Sequence, residues 1–170
     1  MSAKADWAHL QIKYKDAEAT FEGTLEETWL LFEKFLNEYV PSFEIAGKLW
    51  LVADVQALAK DCEGLIGFSR EGSSILAPKN RLTDNETIAL WLLASYLGKR
   101  LNILETEGLS KEDLQAKLGK TSKITSTRLG ELMKIGAVGK TTDDKCKITE
   151  FGVSQMQKDV LPRIITKTGI

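Results

Sequence analysis

The 170-residue chain is 43% hydrophobic and 28% charged, an ordinary globular balance that excludes intrinsic disorder and suits one or two small domains. Its formal net charge of -1 conceals an asymmetry: 8 basic and 13 acidic residues up to Asn80, then 15 basic and 11 acidic. The longest strongly apolar run, Ile88 to Leu97, is about half of the roughly 20 residues that cross a bilayer, and the opening MSAKADWAHL has no signal-peptide pattern, so a cytoplasmic protein without a membrane span is expected.

From the front, His9–Tyr14 and Ala17–Glu22 alternate apolar and polar residues about Lys15 and Asp16, the period-two signature of a hairpin. Thr24 with Glu27 forms a capping box, and the helix after it places Leu25, Trp29, Phe32, Leu36 and Tyr39 on one stripe until Pro41. A second helix is predicted from Phe43 to Ala59. A short hairpin follows, from Leu65–Phe68 and Ser74–Leu76, and Pro78–Leu82 reads as a hinge. The chain thus divides into an acidic hairpin-helix module, 1–80, and a second domain, 81–170. Thr83 and Glu86 open a helix to about Leu104, apolar around its circumference and therefore buried on more than one side.

Cysteine and histidine usage excludes several chemistries. Cys62 and Cys146 are far apart, with no Cys or His at metal-ligand spacing, so free buried thiols are expected and a structural zinc is not. His9 is the only histidine and reads as an exposed strand residue. The two GKT triplets at 119 and 139 are preceded five residues earlier by Leu114 and Lys134, where a phosphate-binding loop needs glycine. No carboxylate pair argues for acid–base work, so neither an enzyme nor a cofactor is expected.

The segment Leu109–Gly152 is the most informative. Ser110 and Asp113 start a short helix with Leu114, Ala116 and Leu118 on its apolar face, and Gly119 ends it. A second helix follows, with Leu129, Leu132 and Ile135 at three-residue steps and Gly136 in the position of a left-handed cap. Ala137–Thr141 and Lys145–Ile148 then pair as a hairpin about Thr142–Asp144. Thr149 opens a last helix with Val153, Met156, Val160 and Ile164 in a stripe, kinked or ended at Pro162. That stripe either packs back on the core or forms a dimer seam.

Charge is concentrated here. Lys117, Lys120, Lys123, Arg128, Lys134 and Lys140 face a single acid, Glu131. Phosphate binding needs lysine and arginine gathered in this way, whereas a solvated helix surface is usually of mixed sign.

The run AKLGKTSKITSTRLGELMKIGAV and the later KITEFG resemble the winged helix-turn-helix domains of prokaryotic, archaeal-type transcription regulators, over roughly Thr83–Ile165. The earlier IKYKDAEATFEGTLEETWLLFEKFLNEYVP is similar to a hairpin-helix module of uncharacterised archaeal proteins, which implies no activity. The first resemblance implies a mostly helical α+β fold, with the helix 122–135 inserted in the major groove of double-stranded DNA and the hairpin 137–148 as the wing. Thr121 and Ser122 fall at matched recognition positions; Lys120, Lys123 and Lys134 would neutralise phosphates and set register, Ser126 and Thr127 would meet base edges or the nearest phosphate, and Arg128 would either join them or be a structural arginine tied to the helix end. Lys140, Lys145 and Lys147 would reach the backbone from the wing, although Asp143 and Asp144 at its tip oppose phosphate. The implied function is a homodimeric regulator of transcription or a chromatin-associated factor. The alternative is a non-enzymatic adaptor that uses the winged helix to bind protein, and a protein partner for the N-terminal module fits either reading.

Overall fold

The computed structural model describes residues 7–40 and 53–169, a mostly helical α+β chain whose compact units are Met1–Trp50 and Leu51–Ile170.

In the first unit, β1 (Trp7–Tyr14) pairs antiparallel with β2 (Ala17–Thr24), setting Leu10 opposite Phe21 and Tyr14 opposite Ala17. The two-residue turn puts Lys15 at φ 53. Thr24 and Glu27 form the expected capping box at the start of α1 (Leu25–Tyr39), and the Thr24 backbone N–H and hydroxyl hold the Glu27 carboxyl below its ordinary value. The buried face of α1 is not the predicted stripe. Thr28 and Phe35 are buried, with Phe35 edge-on to Phe21 at 6.2 Å between centroids, whereas Leu25, Trp29 and Tyr39 are exposed. A narrow two-stranded hairpin covers only one side of a helix that is apolar on more than one.

In the second unit, α2 spans Val55–Asp61 and begins where the Asp54 carboxylate accepts from the N–H groups of Gln56 and Ala57. The predicted helix Phe43–Ala59 therefore does not run through Asp54, and its portion up to residue 52 lies outside the described residues. β3 (Ile66–Ser69) and β4 (Gly72–Ile75) form a hairpin with Ile66 opposite Ile75. Leu58, Leu65, Ile66 and Ala77 bury themselves in one core with α3, so the division between units falls after Trp50, not at the predicted residue 80.

At the centre of the second unit is α3 (Asp84–Arg100), opened by the predicted Thr83–Glu86 box and buried at every position from Glu86 to Gly98. It ends four residues earlier than predicted, because the N–H groups of Ile103 and Leu104 turn back to the Gly98 carbonyl. Around it stand α4 (Lys111–Leu118) and α5 (Ser122–Lys134), joined by the Gly119 cap at φ 68 and the Thr121 cap. Beyond them, β5 (Val138–Lys140) pairs with β6 (Cys146–Ile148). Leu109 adds an isolated antiparallel bridge to Cys146 on the edge of this two-stranded hairpin.

The last helix is continuous but not uniform: α6 (Glu150–Gln155), a π turn (Met156–Val160) and α7 (Leu161–Thr168). Its buried residues are Gly152, Val153, Met156, Leu161 and Ile164. The step of five from Met156 to Leu161 spans the π turn, so Leu161 occupies the core position that an unbroken α-helical count assigns to Val160. Near the root of the hairpin, the Thr149 hydroxyl donates to the Gly136 carbonyl at 2.7 Å and caps α6 by accepting from Gly152 N–H at 2.9 Å. A Cβ on Gly152 would stand 2.2 Å from the Ala137 carbonyl oxygen.

Candidate functional site

α5 buries Thr125, Leu129 and Leu132 and turns the opposite side to solvent. Lys123, Thr127, Gly130 and Lys134 follow one another along that outer side at steps of four, three and four, with Ser126 beside them, and all are exposed. Ile135, predicted as core, is 57% exposed, because the helix ends at Lys134 and Ile135 only caps it.

Within the second unit, α3, α4 and α6 carry acids in their first turns, which offset the positive end of the helix dipole; α5, like α2 and α7, carries none there, and it has Lys123 in that turn, just after Lys120. Among the described residues, no carboxylate comes within 4.0 Å of Lys120, Lys123 or Lys134.

Of the four other predicted cations, Arg128, Lys140 and Lys147 are paired with carboxylates and, among the described residues, Lys145 is not. Arg128 Nη1 lies 2.9 Å from Glu131 Oε1, and its Nε lies 3.7 Å from Asp84 Oδ2 on α3. Glu131 also accepts from Asn85 Nδ2 at 2.9 Å; Asn85 first, then Arg128, holds its carboxyl below the ordinary value. Arg128 therefore ties α5 to the start of α3. In the hairpin, Lys140 is paired with Asp144, and Lys147 Nζ lies 2.7 Å from Glu107. Lys145 is half-buried at the edge of a mixed-charge groove of about 660 Å³ that also includes Arg100, Glu105 and Asp143.

The hydroxyls are arranged for one role. Ser126 Oγ donates to the Ser122 carbonyl at 2.7 Å, and Thr127 Oγ1 donates to the Lys123 carbonyl at 2.9 Å. Their hydrogens are spent on the helix, which leaves outward lone pairs that accept hydrogen bonds. Thr121 Oγ1 accepts from Ile124 N–H as the helix cap, and Ser122 is exposed at the first helical position.

Two features escaped the sequence reading. Gly130 sits mid-helix on the exposed side, with nothing within 4 Å of a Cβ built there. Lys117 Nζ lies 3.8 Å from the centroid of the Trp91 ring, a cation–π contact that turns this lysine inward. Among the described residues, no three His, Cys, Asp or Glu side chains gather into a metal-binding group, and no helix is long and apolar enough to cross a membrane. The chain matches no protein-family model, no curated protein and no solved structure.

Proposed function

We propose that the second unit is a winged helix-turn-helix domain that binds double-stranded DNA, with α5 as the recognition helix and β5–β6 as the wing, in a cytoplasmic homodimeric regulator of transcription or chromatin factor without catalytic activity. The observation that carries this reading is the outer side of α5 and the turn before it, where Lys120, Lys123 and Lys134 lack carboxylate partners among the described residues and the helix start has no acid of its own. Small side chains along the same side admit close approach to a groove. Ser126 and Thr127, as acceptors, suit the exocyclic amino groups of adenine and cytosine.

The test is fluorescence anisotropy with random-sequence duplex DNA across a salt series. Each phosphate neutralised adds roughly 0.9 to the slope of log K against log salt, so three lysines predict a slope of about -2.7 or steeper. Light scattering at dimer mass should accompany it. Salt-independent binding, or none at low salt, overturns the proposal.

A second reading, an adaptor that binds protein, is favoured by the first unit. Leu25, Trp29 and Leu30 on α1 are each more than 60% exposed, and large apolar groups grouped on one element mark contact surfaces. It is the reading to adopt if the salt series is flat.

A further inference from the structure

A cleft of about 360 Å³ opens between the first turn of α3, the last turn of α5, the base of the β5–β6 hairpin and the closing helix. Its volume lies at the small-metabolite end of ligand sites. Ala89, Leu132, Val138, Met156 and Val160 line it with apolar surface. The wall that carries Met156 and Val160 is the π turn, a rare deviation that concentrates at functional sites.

Among the polar groups of this lining, Asn85 and Arg163 have unused bonding capacity. Asn85 donates through Nδ2 to Glu131, but its Oδ1 is buried and accepts no hydrogen bond among the described residues. Arg163 uses Nε on the Asp159 carbonyl at 2.9 Å, and no carboxylate of the described residues lies within 4.0 Å of its guanidinium. The two other charged groups of the lining cancel each other, since Lys167 Nζ lies 2.6 Å from Glu86 Oε1. The cleft therefore combines an apolar interior, one uncompensated positive charge and one buried acceptor in need of a donor.

We propose that this cleft binds a small organic anion with an apolar body, a carboxylate that meets Arg163, and an O–H or N–H that donates to Asn85 Oδ1. The binding site stands on this geometry alone; its regulatory consequence rests on the DNA-binding reading. Asn85 holds Glu131, and Glu131 holds Arg128, so an occupant bonded to Asn85 acts on the contacts that fix α5 against α3. Occupancy then changes the presentation of the basic face.

Calorimetry of the full chain with three probes tests each part: 4-hydroxyphenylacetate, its neutral amide, and phenylacetate, which lacks the donor. The expected result is saturable binding of the hydroxy acid with Kd of about 1 mM or tighter, about tenfold weaker for either analogue, as loss of a charge-assisted or buried hydrogen bond requires. Arg163→Gln, an exposed position, should keep the melting temperature and erase the preference for the acid over the amide. No saturable binding, equal binding of acid and amide, or an unchanged preference in Arg163→Gln overturns the site. DNA anisotropy with and without the acid is read separately: unchanged DNA affinity at saturating acid overturns the regulatory consequence alone, and a chain that binds the acid but not DNA overturns the DNA reading while supporting the site.

Discussion

The Arg128 guanidinium is held by Glu131, Nη1 to Oε1 at 2.9 Å, so the one arginine of α5 is neutralised by the one acid of α5. The pair decides how much charge the helix offers a polyanion. Glu131→Gln leaves Arg128 only its longer 3.7 Å contact with Asp84, so it should tighten DNA binding and steepen the salt slope by up to about 0.9, whereas Lys123→Ala should make it shallower by about 0.9. Anisotropy across salt reads both. An unchanged slope in Glu131→Gln would show that Arg128 stays with Asp84 and does not reach the duplex.

Gly130→Ala should separate stability from binding. A mid-helix glycine costs roughly 0.5 to 1 kcal/mol relative to alanine, and a Cβ at 130 meets nothing within 4 Å. The variant should melt at a higher temperature and bind DNA more weakly, because the added methyl stands on the side assigned to the groove. Tighter or equal binding would remove Gly130 from the interface.

Leu129 is 4% exposed on the inner side of α5. Leu129→Ala should cost roughly 2 to 5 kcal/mol, the range for truncating a buried leucine, as measured by denaturant unfolding. A loss under about 0.5 kcal/mol, typical of surface substitutions, would mean that the helix presents a different face.

Burial alone would raise the Glu86 carboxyl, but Lys167 and the Thr83 backbone and hydroxyl together hold it below its ordinary value of 4.5. A carboxylate with a depressed folded-state pKa contributes stability that is fully present above its unfolded value and is lost as pH falls through the folded one. Stability should therefore decline below about pH 4.5, and Glu86→Gln should lower neutral-pH stability while flattening that acid limb. Parallel acid limbs for wild type and variant would place the acid sensitivity elsewhere.

Local signals in the sequence translate directly into structure. The boxes Thr24–Glu27, Thr83–Glu86 and Ser110–Asp113 each start a helix where the spacing predicts it, because a cap needs only residues three apart. Asp54 is also a cap, but an apolar periodicity from Ile45 to Leu58 runs across it and masks the break. The substitution of Leu161 for Val160 in the core is invisible to any count at 3.6 residues per turn, since one π turn advances the phase by a residue. On the candidate face, the Arg128–Glu131 pair is legible at i,i+3 spacing. The neutralisation of Lys147 by Glu107, forty residues away, is a product of the fold.

The contact between Gly152 and the Ala137 carbonyl sets where this domain can diversify. Any side chain at 152 collides with the Ala137 main chain, which cannot yield, so position 152, packed against the root of the β5–β6 hairpin, admits glycine alone. The tip at Thr142–Asp144 is exposed and built on a loop that accommodates insertion. Lengthening or recharging the hairpin at that outer end leaves the Gly152–Ala137 contact untouched, so the reach of the domain can change while its attachment to the core stays as it is.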